Sequence, residues 1–255
     1  MSLLLTLAFA QHVARATQEQ AIARERAFFD QVQLSLSIEA TNHYIGEPVR
    51  LRVTMKNIGS TPVLGYLTAL PYRGTTELYY RQPSGEFRRF VTHEMGEEEK
   101  NVHVTPEALE PEAEHTSEVT LAFDPQLGTA VLNGPGQYEF KAVYRGIRRI
   151  GGKPIESNVV AVTSVAPPAE HVEAMKHYTA TGLPQVAQFD PLTTILDRAA
   201  VSAASEFVDR YPDSPYAAGV RQGLLQYLTD RVNRRRATVD EKRLYDQFTG
   251  GQREP

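Results

Sequence analysis

Between Val32 and Val165 apolar and polar residues alternate with a period of two, and this limits the fold more than any other feature of the chain. In VQLSLSIEA, Val32, Leu34, Leu36 and Ile38 share one face, and Gln33, Ser35, Ser37 and Glu39 the other. EPVRLRVTMKN repeats the arrangement, with Val49, Leu51, Val53 and Met55 opposite Arg50, Arg52, Thr54 and Lys56. SEVTLAFD places Val119, Leu121 and Phe123 on one face, and GQYEFKAVY does the same with Tyr138, Phe140, Ala142 and Tyr144. ESNVVAVTSV closes the series, and shorter strands are predicted around Glu77–Arg81, Phe87–Thr92 and Val102–Thr105. A strand with one wet face belongs in an antiparallel sheet, because buried parallel strands read as continuous apolar runs. NIGSTP, QPSGE, NGPGQ and RIGGKP supply the turns between them. About seven such strands fit two sheets packed face to face, so the pattern predicts a β-sandwich.

After Val165 the period changes. APPAE opens a helical stretch that runs through EHVEAMKHYTATG and stops near Gly182. A second helix is predicted from Asp190 as N-cap and Pro191 at the first helical position, where a missing N–H costs nothing. Leu192, Ile195, Leu196, Ala199, Ala203 and Phe207 follow the i, i+3, i+4 spacing, and Pro212 ends the run. Ser214 then caps a helix with Pro215 at its first position and Tyr216, Val220, Leu224, Tyr227 and Val232 along its apolar side. Thr238-x-x-Glu241 is a capping box for a last helix ending before Gly250. The fold class is α+β, an antiparallel β-sandwich with a C-terminal α-helical extension. The expected organisation is a leader at 1–16, a helical or linker segment at 17–30, the sandwich at 31–166, the helical segment at 167–250 and a tail at 251–255.

Two segments resemble known families. IGEPVRLRVTMKNIGSTPV resembles the second-strand segment of immunoglobulin-like modules in exported bacterial proteins, and LNGPGQYEFKAVYRG and IESNVVAVTSV resemble their last two strands. The resemblance implies a tyrosine corner at Tyr138, set up by the turn Gly134-Pro135-Gly136, with the hydroxyl bonding back to the preceding loop. The antibody-type cysteine pair and tryptophan are missing. FVDRYPDSPYA is similar to the inter-helix turn of tetratricopeptide-like repeats, which marks Phe207, Pro212 and Pro215 as structural positions of one hairpin. One hairpin cannot bury its own apolar face, so it is expected to dock on the rest of the chain rather than on a partner.

The net charge of -4 argues against a dedicated nucleic-acid binder, and no stretch of about 18 uninterrupted apolar residues predicts a transmembrane span. Cysteine is absent, which excludes disulfides, thiolate metal sites and a cysteine nucleophile. The apolar run Leu3–Ala10 followed by Ala14-Arg15-Ala16 reads as an export signal cleaved after Ala16, although its start carries no Lys or Arg. The same residues also read as the start of an amphipathic helix continuing through QEQAIARERAFFDQ.

Catalytic signatures are missing. THEMGEEEKNVHV gathers His93, Glu94, Glu97, Glu98, Glu99 and His103, but a zincin needs histidine where Glu97 stands, so this reads as a solvated acidic loop. His43 and His115 lie in other loops without ligands nearby in sequence. Gly151-Gly152-Lys153 sits between strands and leads into no helix, so it reads as a hairpin turn and not a phosphate loop. No catalytic, cofactor-binding or metal residue is assigned, and no cofactor is expected. DRVNRRR ends a helix with Arg231, Arg234, Arg235 and Arg236, which complement the macrodipole and can also serve a partner or an anion. The expectation is a non-enzymatic, exported binding or assembly module of the bacterial cell envelope, with another envelope protein as partner. The alternative is an accessory or inhibitory sandwich acting on a hydrolase through loops Leu70–Thr76 and Thr92–Asn101, or a cryptic hydrolase or metal enzyme.

Overall fold

A computed structural model describes residues 19–20, 22–24, 26–65, 67, 76–91, 107–146, 153–189 and 196–250. The leader at 1–16, the acidic loop with His93 and His103, the strand expected near Val102, residues 70–75, Gly151, Gly152, Asp190–Ile195 and the tail at 251–255 lie outside the described residues.

Helical residues at 22–24 and 26–31 lead into the strands, which in chain order are β1 (Val32–Ile38), β2 (Asn42–Tyr44), β3 (Val49–Asn57), β4 (Val63–Gly65), β5 (Thr76–Arg81), β6 (Arg88–Phe90), β7 (Glu107–Leu109), β8 (Glu114–Leu121), β9 (Phe123–Asp124), β10 (Thr129–Ala130), β11 (Gly136–Tyr144), β12 (Ile155–Glu156) and β13 (Val160–Val165). One sheet has the order β1-β3-β8, and the other β2-β13-β11-β5-β6 with β12 beside β11. Small ladders join β4 to β7 and β9 to β10. Every pairing is antiparallel except that of β2 with β13. The alternation sets the register: Leu34 stands opposite Met55 and Leu36 opposite Val53 in one sheet, and Phe140 opposite Tyr80 in the other. Their inward faces meet in one core containing Leu34, Leu51, Val53, Tyr80, Phe140 and Val162. A chain that places strands one, three and eight in one sheet and five, six, eleven and thirteen in the other has the immunoglobulin-like sandwich connectivity.

Tyr138 is buried at the start of β11. Its hydroxyl accepts from the Gly134 N–H at 3.1 Å and has the Asn133 Oδ1 at 3.0 Å and the Gly134 carbonyl at 3.1 Å as acceptors for its proton. Gly136 has φ +132°, and a Cβ there would lie 2.5 Å from Pro83, so glycine is required on both counts. The buried Asp124 carboxylate is satisfied by Arg88, the Tyr80 hydroxyl and the Gln126 N–H. An unpaired buried carboxylate would be costly; this one is neutralised and hydrogen-bonded.

The helical layer comprises α1 (Ala169–Ala180), α2 (Leu183–Ala187), α3 (Arg198–Arg210), α4 (Pro215–Asn233) and α5 (Val239–Phe248). It departs from the sequence expectation in two places. Leu196 and Asp197, expected inside a helix starting at Asp190, are not helical, and Asp197 accepts the Ala200 N–H as the N-cap of α3; Asp190 itself lies outside the described residues. A short α2 intervenes after Gly182, with Pro184 in its first turn. Val186 of α2 crosses α4 at Gly223, where a Cβ would come 1.8 Å from the Val186 carbonyl oxygen.

The hairpin α3–α4 docks within the chain. The Tyr216 hydroxyl donates to the Ile45 carbonyl at 2.8 Å, and Pro48 packs on α4 at Gly219. Ala122 belongs to the same buried cluster as Phe207, Tyr216 and Leu224. The Gln188 Oε1 accepts the N–H groups of both Ala122 and Phe123 at 2.8 Å. This explains a further correction: SEVTLAFD is not one strand but β8 and β9 divided at Ala122, whose backbone donor is turned to the helices instead of a neighbouring strand.

Phe207 is fully buried between Tyr178, His177 and Tyr211. Phe207→Ala is expected to destabilise the protein by about 3–5 kcal/mol, as truncation of a core aromatic does. A urea titration checks this: the midpoint falls, and an unmoved midpoint would show that the helical core adds nothing to stability.

Candidate functional site

The end of α4 borders a cleft lined by charged and apolar side chains. Arg236 N–H bonds to the Arg231 carbonyl at 2.8 Å and Arg235 N–H to the Val232 carbonyl at 2.9 Å. These are the two bonds of a Schellman cap, with Arg235 in the left-handed position at φ 55° where glycine is usual. The chain reverses there and restarts at Thr238, whose side chain accepts the Glu241 N–H while Glu241 accepts the Thr238 N–H. The reversal folds α5 back and opens a cleft of about 860 Å³ against α3 and α4. Phe189, Leu196, Val201, Tyr227 and Leu244 give it apolar walls, and Phe189 and Tyr227 pack edge to face at 5.5 Å.

Five arginines and three carboxylates line the cleft. Arg234 pairs with Asp230 at 2.8 Å and Arg198 with Asp240 at 3.2 Å. The second pair is 93% and 69% exposed and adds little to stability. Arg231 reaches Glu241 at 3.4 Å, and the Tyr227 hydroxyl donates to the other oxygen of that carboxylate at 2.7 Å. Burial pushes the Glu241 carboxyl up, but the Thr238 N–H, the Tyr227 hydroxyl and Arg231 outweigh it and hold it below its ordinary value. The Tyr227 hydroxyl is pushed up to about 12, first by burial and then by Glu241. Glu241 is therefore ionised and Tyr227 protonated at neutral pH, which suits the donor–acceptor bond between them. Arg236 and Arg243 have no side-chain partner among the described residues. The cleft carries two guanidinium groups more than its carboxylates neutralise, and such groups bind carboxylate or phosphate oxygens in a planar fork.

Of the arginines singled out in the sequence, Arg231, Arg234 and Arg236 line the cleft. Arg235 instead serves the chain reversal and is exposed. Phe207 lies in the helical core, Pro212 in the exposed turn after α3, and Pro215 at the first position of α4. Tyr138, Gly134 and Gly136 form the corner of the sandwich. Arg198, Arg243, Leu244 and Phe189 were not legible as site residues; the arginine at the first position of α3 and the one just after the capping box were the available signals. His43 bonds to the Ala40 carbonyl at 3.0 Å, and His115 lies 3.5 Å from Ser117. Among the described residues no group of three or more His, Asp or Glu side chains could hold a metal ion. Among them, too, no helix is long and apolar enough to cross a membrane.

No protein-family model matches the chain. No curated protein matches it either. Solved structures overlap it in part. The CARDB domain of the PF1109 protein from Pyrococcus furiosus, in complex with di-metal ions, is 9% identical, with 53% of this chain and 94% of that one covered and a TM-score of 0.30. The alkylpurine DNA glycosylase AlkC from Pseudomonas fluorescens, bound to DNA containing an abasic site analog, is 11% identical over 53% of this chain and 31% of that one, with a TM-score of 0.34. The sporulation control protein Spo0M from Bacillus subtilis is 16% identical over 57% and 55%, with a TM-score of 0.31. The fold assignment rests on strand order and register, and not on these overlaps.

A non-glycine residue in the left-handed region costs on the order of 1 kcal/mol. Arg235→Gly is accordingly expected to raise stability by about that amount, without altering the cleft. Urea midpoints of the two proteins check it; a loss of stability would mean that the Arg235 side chain is itself an anchor.

Proposed function

We infer that the chain is a non-catalytic binding module that holds an anionic group, free or displayed by another envelope protein, in the cleft between α3, α4 and α5. The observation that carries this reading is the unbalanced charge of the cleft. Three carboxylates are matched by Arg198, Arg231 and Arg234, while Arg236 and Arg243 face the same space without a partner among the described residues. Two like charges on one cleft raise its potential, and an anion entering it relieves that repulsion as it forms charge-assisted hydrogen bonds. The sandwich gives the cleft a firm mount, since its own core is packed and it meets the helices through hydrogen bonds from its backbone groups. The site of action is the cell envelope, supported by Leu3–Ala10 and Ala14-Arg15-Ala16.

Arginine side-chain NMR tests the binding reading. In a titration with sodium acetate, the Nε–H signals of Arg236 and Arg243 are expected to shift saturably while that of Arg221, on α4 but outside the cleft, stays still. Parallel shifts at all exposed arginines would contradict it. For the location, the mature protein is expected in the envelope fraction beginning at or close to Thr17. Intact Met1 protein found in the cytosol alone would exclude export.

A further inference from the structure

The walls of the cleft narrow the chemistry of its ligand, given the binding reading above. The carboxylate of its charged floor is already used: the Tyr227 hydroxyl donates to Glu241, which also accepts from Arg231 and the cap at Thr238, and the buried Arg231 Nε is left as a donor without a partner among the described residues. A ligand with many hydroxyl groups would find few free acceptors there. The apolar lining consists of the exposed edges of Phe189, Leu196 and Val201, each less than a tenth exposed, and of the half-buried Leu244, beside two guanidinium groups without a carboxylate partner among the described residues. We propose that the cleft takes an amphiphilic oxyanion, a molecule with one carboxylate or phosphate head on an apolar body, with the head on Arg236 and Arg243 and the body along Phe189, Leu196, Val201 and Leu244. The volume of about 860 Å³ lies within the range of ligand pockets, roughly 300–1,000 Å³. The division into an apolar wall and a few converging polar groups is the usual composition of such pockets. Carboxylate and phosphate heads share the bidentate fit to guanidinium, so the head-group chemistry is common to both sources.

Calorimetric titration of the full chain with sodium octanoate, decanoate and dodecanoate, each kept below its micelle concentration, tests the proposal. Saturable one-to-one binding is expected, tightening about fourfold for each methylene added, as burial of a CH₂ group implies. Arg236→Gln with Arg243→Gln is expected to weaken dodecanoate binding at least tenfold, and uncharged decanol to bind more weakly than decanoate. Both arginines are exposed, so the double variant retains the packed core. Dodecyl phosphate distinguishes the head groups: tighter binding than dodecanoate assigns a phosphate ligand, and weaker binding a carboxylate. Affinity that does not change from acetate to dodecanoate would overturn the amphiphile while leaving an anion-binding cleft in place. Dodecanoate binding that the double variant leaves unchanged would overturn the placement of the head group.

Discussion

One side chain decides how the two halves of this molecule are joined. The Gln188 carbonyl accepts two successive backbone N–H groups, those of Ala122 and Phe123, at the point where a strand would otherwise continue. Buried backbone donors must find partners, and here the partner comes from the helical layer and not from the sheet. The strand is divided as a result, Ala122 turns into the helical core, and Tyr216 completes the joint from the other side through the Ile45 carbonyl. The aromatic cluster of Tyr178, Phe207 and Tyr216 then fills the space over Gly46 and so covers the hairpin's apolar face. The hairpin is stable in this chain because α1, α2 and the end of the sandwich together cover the apolar face that it cannot bury by itself.

The cleft follows from what lies beyond that joint. With one side of α4 committed to the sandwich and to α2, its far end is free to reverse at Arg235 and carry α5 back against α4. The reversal uses an arginine in a backbone conformation that favours glycine. That choice lowers stability, and keeps a run of arginines around the mouth of an apolar cavity. Strain of this kind collects where a protein's function constrains its chain, and the cleft beside it holds two guanidinium groups more than its carboxylates neutralise.

Much of the fold was legible in the sequence because its signals are local. The two-residue alternation of β1 and β3 reappears in their register, Pro215 stands at the first position of α4, and Thr238 and Glu241 close the capping box that their spacing announces. The rest depends on contacts between distant residues. Alternation runs unbroken through Ala122, so nothing local marks the division of the strand, and the residue that causes it lies 66 positions away. Asp190 followed by proline is as good a helix start as Asp197, and only the three-dimensional structure shows that Asp197 receives the Ala200 N–H. Arg231, Arg234 and Arg236 were recognisable as a basic helix end. Their convergence with Arg198 and Arg243 depends on the reversal at Arg235, and no glycine announces that turn.

Native-state hydrogen exchange at the Ala122 and Phe123 amides tests the joint most directly. If Gln188 holds them, they exchange only through large-scale opening, with protection comparable to that of the central strand β3. In Gln188→Leu both amides are expected to lose most of that protection while β3 keeps its own. Amides at 122 and 123 that exchange as freely as exposed loop positions in the native chain would contradict the docked architecture, and with it the firm mount proposed for the cleft.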